Sequence, residues 1–353
     1  MINTGPKIFL QRLIEAGIDI TDVALVNPSL EDIKNYSRSK KVLIGRLDGA
    51  SYYDFSVRNL QNFLRLRGYG KISKILSTLP AFKSNKIINK LLNQYLDRTC
   101  SWLLSNADGI VFQSNISLEM HKTFLGFDQS SKPYKIINNG VNIDLFTPKK
   151  SVQDSFGFPS VIISASQYRL HKRLQEAVRL TNHLSAEFPK IKLNIIGDMD
   201  ELTSACVLKM DTSKCNFHGR IDPINLPFFY QNAHIQLHLS IFDPCPNVVV
   251  EGLSSGLPVI TPLESGAQEL IGVTNANWAV EESLEMKYME LHREEKVPQI
   301  NLKTYAAVFK NIFNDLQANK ESARARAEND LDINKVTLRY QEFIMEMRHS
   351  ING

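Results

Sequence analysis

The stretch Asp243-Pro244-Cys245-Pro246-Asn247-Val248-Val249-Val250-Glu251-Gly252-Leu253-Ser254-Ser255-Gly256-Leu257-Pro258-Val259 places one acid in a proline-containing loop and a second on the apolar segment that follows it. That segment reads as a helix beginning near Asn247. The unsatisfied N–H groups and partial positive charge at a helix start suit an anion, above all a phosphate. Glu251 then lies about one turn into the helix, where its two acceptor oxygens can reach a ribose. An isolated pair of acids spaced this way also fits an ordinary loop and a solvated helix face, so the surroundings must decide.

Working outward, short β-branched runs at 161–165, 193–196, 215–218, 235–239 and 258–261 are each followed by a turn and, in most cases, a helical segment. This alternation marks an α/β domain built on a parallel sheet. Upstream the same pattern recurs, with strands expected at 22–26, 41–45, 109–112 and 134–137 and helices at 6–17, 55–67, 84–105 and 115–125. Asn138-Asn139-Gly140 is a turn signal, and the polar stretch from there to Pro159 reads as a linker. A chain of 353 residues divides naturally into two domains, here 1–150 and 151–333, with a last helical stretch at about 334–353 that can return to the first. Two doubly wound sheets leave a cleft between them, and ligands collect at the carboxyl ends of the strands. At the N-terminus, Thr4-Gly5-Pro6 reads as the turn after a first strand, yet only Met1, Ile2 and Asn3 precede it. A first strand is central in such sheets, so a slot in the middle of the sheet is expected, from a start further upstream or a compromised domain.

Composition places the chain among folded proteins, since 43% hydrophobic and 22% charged residues are far from the signature of disorder. No run approaches the roughly 18 to 20 apolar residues of a membrane span, and no signal-peptide pattern opens the chain, so a cytoplasmic location is expected. The spacing of Cys100, Cys206, Cys215 and Cys245 fits neither a disulfide framework nor a zinc site. Between Phe55 and Leu96 there is no Asp or Glu, while Arg58, Arg65, Arg67, Lys71, Lys74, Lys83, Lys86 and Lys90 alternate with apolar side chains. Such a stretch suits peripheral contact with an anionic membrane surface. A solvated helix face reads the same way. No nucleic-acid-binding module accompanies it.

The opening stretch, taken with Glu264-Ser265-Gly266-Ala267-Gln268-Glu269-Leu270-Ile271, resembles the nucleotide-sugar motif of the family-4 retaining glycosyltransferases (glycosyl transferases group 1). Ile136 to Asn142 with Phe146 and Pro148 resembles the family's domain junction. Ile195-Ile196-Gly197-Asp198, Phe217-His218-Gly219, Leu226-Pro227-Phe228-Phe229-Tyr230 and Ala233 extend the likeness over about residues 105 to 275.

The resemblance implies a GT-B fold, two Rossmann-like domains facing a central cleft, and transfer of a sugar from a nucleotide-diphosphate donor with retention. Glu251 would hold the donor ribose and Asp243 the hydroxyls of the transferred sugar, with Asn247 and Val248 presenting N–H groups at the phosphate. Arg169 and Lys172, in the turn after strand 161–165, would stabilise the leaving diphosphate in place of a metal; His171 and Arg173 beside them fit solvated helix-start residues equally well. Ser265 and Gly266 would offer backbone N–H groups, Glu269 a sugar contact and Gly5 a glycine loop facing the donor phosphates. Asp48, at the end of strand 41–45, would orient donor or acceptor, or simply cap a turn.

Three departures stand out. Asp243 replaces the commoner glutamate, Gln167 occupies the usual arginine position, and no histidine lies near Asp48. No cofactor or metal is implied. The acceptor would be a glycan or lipid-linked glycan of cell-surface polysaccharide or lipopolysaccharide assembly. A non-catalytic or truncated GT-B relative that binds nucleotide or a partner, and a GT-B sugar-nucleotide epimerase or phosphorylase, remain alternatives.

Overall fold

Aliphatic runs covered on both faces form parallel strands, and in this chain they form two sheets. The computed structural model describes residues 5–36, 42–50, 97–149, 159–287, 289 and 296–352. The helix expected at 55–67, most of that at 84–105, the basic stretch 55–96 and part of the linker lie outside the described residues.

The first domain runs α1 (Gly5–Glu15), β1 (Val23–Val26), α2 (Leu30–Asn35), β2 (Val42–Leu47), α3 (Arg98–Asn106), β3 (Gly109–Phe112), α4 (Asn115–Leu125) and β4 (Tyr134–Ile136). Every residue of β2 and β3 is buried, which explains why neither alternates in sequence. The four strands pair in parallel in the order β1-β2-β3-β4. Among the described residues these four strands pair without a slot between them. Each strand lies beside its neighbour in sequence, and β1 is at an edge. Ser114 caps α4 by accepting from the Ser117 N–H at 2.9 Å, and Gly126, left-handed at φ 71, ends it.

The second domain runs β5 (Ser160–Tyr168), α5 (Leu174–Leu184), β6 (Lys192–Met199), α6 (Glu201–Val207), β7 (Cys215–Gly219), α7 (Leu226–Gln231), β8 (Ile235–Leu237), α8 (Asn247–Ser254), β9 (Val259–Pro262), α9 (Ala267–Ile271), β10 (Ala279–Val280), α10 (Leu302–Asn314) and α11 (Leu316–Arg326). All pairings are parallel, in the order β7-β6-β5-β8-β9-β10. This is the Rossmann order. Its direction of winding reverses between β5 and β8, and the crevice beyond their carboxyl ends is where such sheets take ligands.

The last helix, α12 (Ile333–Asn352), packs on the first domain. Val336, Tyr340, Phe343, Ile344 and Met347 form a stripe at helical spacing and bury against Phe9 and Leu13 of α1 and Val42 and Ile44 of β2. The approach is close enough that a Cβ on Gly109 would lie 2.7 Å from Met347 Sδ and 2.9 Å from Phe343 Cζ. The chain crosses between domains twice, and the two crossings pair: Val141 N donates to Leu331 O and Ile333 N to Val141 O, each at 2.9 Å. No helix among the described residues is long and apolar enough to cross a membrane.

Candidate active site

The turn after β5 and the loop after β8 meet at the switch point, and each brings a polar side chain that the strand geometry fixes. Lys172 Nζ donates to Asp243 Oδ2 at 3.2 Å, and His238 Nε2 lies 3.5 Å from the same oxygen. Burial works against the charge on Asp243, but the Lys172 ammonium, with His238, outweighs it and holds the carboxyl well below the usual carboxylate range. Burial pushes His238 down, against the pull of Asp243, so near pH 7 it is neutral. The backbone is left-handed at Arg173 and Phe242, with φ 53 and 46, each immediately beside a member of this cluster.

The other two cations of the turn go elsewhere. Arg169 is exposed and turns to Gln167, donating to its Oε1 at 3.3 Å, so it does not join Lys172 on Asp243. Arg173 is fully buried and serves packing: Nη1 and Nη2 engage the Glu282 carboxylate at 2.6 and 3.0 Å, and Nε donates to Leu239 O.

Glu251 lies on α8 as expected and is buried. Its Oε1 accepts from Arg12 Nη2 at 2.6 Å and its Oε2 from Tyr230 Oη at 3.3 Å. Asn247 opens α8, where Pro246 provides no side-chain cap and no acid stands in the first turn. Its Oδ1 accepts from Asn139 Nδ2 of the first domain at 2.9 Å, and Val248 follows half-buried. Ser265 and Gly266 are props for the acidic loop. The Gly266 N–H donates to Asp243 O at 2.8 Å and the Ser265 hydroxyl to the same carbonyl at 3.4 Å, so this N–H is already used within the loop. A Cβ on Gly266 would fall 1.7 Å from Pro244 O.

Glu269 reaches across the cleft. Its carboxylate accepts from the Asn115 N–H and Nδ2 at 2.9 Å each and from the Ile116 N–H at 3.1 Å, at the start of α4. Asp48 follows β2 and faces Asp243 from the first domain. Burial raises its carboxyl, opposed by Arg46, and the Asp243 charge raises it further. Gly49 beside it abuts Pro244, where an added Cβ would lie 2.6 Å from Cγ. Gly5 is the first residue of α1.

Sequence reading passed over Arg12, Arg46 and His238. Arg46 is 0% exposed and links Asn27, Asp48, Asn139 and Tyr340 with its guanidinium 4.4 Å from the centre of the Phe9 ring. Asn139 passes that network on to the second domain through Cys245 O and Asn247. The Arg-Leu-Asp run after strand 41–45 was the available signal for Arg46.

Residues 147–291 match the family model of glycosyl transferases group 1. A candidate viral glycosyltransferase (isolate Australia/Victoria) is 30% identical over 100 residues, 24% of this chain and 32% of its own length, so the alignment spans about a third of that relative. Among solved structures, sucrose-phosphate synthase of Thermosynechococcus elongatus superposes with a TM-score of 0.61 at 14% identity, covering 98% of this chain and 78% of that one. The pneumococcal O-GlcNAc transferase in complex with UDP and GlcNAc gives 0.60 at 14%, over 97% and 60% of the two chains. Anabaena HepE in complex with UDP gives 0.57 at 15%, over 97% and 82%. The fold is therefore GT-B, two Rossmann-like domains about a cleft.

Proposed function

We propose that this protein transfers a sugar from a nucleoside-diphosphate donor to an acceptor hydroxyl with retention at the anomeric carbon. One observation carries the reading: the Lys172–Asp243 ion pair, the uncapped start of α8 and Glu251 lie on neighbouring elements at the switch point of the second sheet. The match of 147–291 to glycosyl transferases group 1 supports it.

In this reading Glu251 accepts the ribose hydroxyls, and the start of α8 with Lys172 stabilises the leaving diphosphate. Asp243 orients the transferred sugar by accepting from its hydroxyls, and Asp48 faces the same sugar or the acceptor from the other domain. The bond from the anomeric carbon to the diphosphate breaks and a bond to the acceptor oxygen forms on the same face. The acceptor proton passes to the leaving phosphate oxygen. Positioning and exclusion of water supply the rate. A thermal-shift panel of UDP-, GDP- and ADP-sugars tests the donor, beginning with UDP-sugars because two similar structures hold UDP. The anomeric configuration of the product tests retention. No stabilisation by any donor would sink the proposal.

A second reading is a non-catalytic relative that binds nucleotide alone. It draws support from Arg169 turning outward and from Glu269 being engaged on α4. Nucleotide binding without donor consumption selects it. Membrane contact through 55–96 is a further part of the proposal, resting on charge pattern alone; co-sedimentation with anionic vesicles at low salt is the expected result, and its absence removes that part.

A further inference from the structure

Arg12 stands on α1 of the first domain, and Glu251, its partner at 2.6 Å, on α8 of the second. Its Nη1 also donates to Gly140 O in the crossover, at 3.3 Å. Tyr230, on the far side of the carboxylate, is tied in turn to Ser164 of β5, with 2.8 Å between hydroxyl oxygens. The Arg12 and Glu251 side chains are 16% and 8% exposed and Tyr230 donates to Oε2, so a ribose hydroxyl that donates to Oε1 competes there with the Arg12 guanidinium. A charge-assisted bond of this kind is roughly twice as strong as a neutral one, so a competing donor must offset its loss. Glu269 makes the same kind of bridge to the start of α4, so two carboxylates of the second domain are bound by the first.

We propose that Arg12 is a gate on the nucleotide: it occupies Glu251 until the cis-diol of a ribonucleoside diphosphate replaces it, so that nucleotide binding and separation of α1 from α8 are one event. The proposal rests on the assignment of Glu251 to the donor ribose. A ligand that binds only the unlatched state is weakened by the fraction of molecules that are latched. Loosening the Arg12 bond therefore strengthens nucleotide binding, whereas an Arg12 that helped to hold the ribose would weaken it when removed.

Calorimetric titration of the full chain with UDP, GDP and ADP, for wild type, Arg12→Lys and Arg12→Gln, reads that sign. The nucleotide that binds wild type is expected to bind Arg12→Gln about tenfold more tightly, with Arg12→Lys between them. Unchanged or weaker binding overturns the gate. A measurement on wild type needs no variant to fold: modification of Arg12 by phenylglyoxal, followed by peptide mass, is expected to quicken with the bound nucleotide and to quicken less with its 2′-deoxy form. Protection of Arg12, or no change, overturns the gate. Should none of the three nucleotides bind wild type or Arg12→Gln, or should Glu251→Gln bind as well as wild type, the ribose assignment itself fails and the gate with it. Binding that needs Glu251 but ignores Arg12 sinks the gate alone.

Discussion

Asp243 and Asp48 approach the cleft from opposite domains, and their surroundings pull them in opposite directions. Asp243 has its carboxyl lowered, so its contribution to stability is present above the unfolded pKa, near 4, and is lost as pH falls through the folded value. Lys172→Met is expected to flatten that acid limb in a melt series from pH 7 to 2, and to abolish transfer. Asp48 has its carboxyl raised, so what it contributes is complete below its unfolded pKa and is lost as pH rises through the folded value. At neutral pH it is a cost. Asp48→Asn is expected to raise Tm at pH 7 by roughly 2 to 4 °C for about 1 kcal/mol, while slowing transfer. Glu251→Ala should abolish turnover; full activity in that variant would reject the site. The two acids of the opening motif were singled out by the resemblance of their surroundings to a nucleotide-sugar motif, since an isolated pair so spaced also fits an ordinary loop and helix face. Arg12 was not, since on an amphipathic helix it looks like any solvated cation, and its partner lies 239 positions away. His238 was hidden in an apolar run, and Arg173, which in sequence fitted a solvated helix start and a functional cation equally well, is buried.

Among the elements, α4 depends on both domains: Ser114 supplies its own cap and Glu269 brings a carboxylate from α9. Glu269→Gln keeps an acceptor but removes the charge, and should cost about 0.5–1 kcal/mol in a urea melt at low salt, less at high salt. The turn before α9 has no room for a side chain at Gly266, where a Cβ would collide with Pro244 O. Gly266→Ala should therefore lower stability by about 2–4 kcal/mol and displace the Asp243 loop, which a loss of nucleotide binding would report. Strands were the most legible elements: their β-branched runs sit between turn residues and mark out β1 to β4 within a residue or two. Their neighbours were not legible. Periodicity reports how deeply a strand is buried and says nothing about which strand pairs with it, so the order β1-β2-β3-β4 of the described strands could not be read from the runs themselves.

At the scale of the whole molecule, the first domain is assembled from both parts of the chain. Phe343 of α12 is buried against α1 and the first sheet, so Phe343→Ala should cost about 3–5 kcal/mol and loosen that domain first. The second domain lies between β4 and α12 as an insertion whose two ends meet where Val141 pairs with Leu331 and Ile333. Gly5 and Asn352 belong to helices that share one core, far along the chain from that meeting point. A pulling force applied between these two residues would therefore run through the first domain alone. The second would hang beside that path, held by the Val141 pairing and by the Arg12, Asn139 and Glu269 contacts across the cleft, and would begin to lengthen only after these bonds had torn.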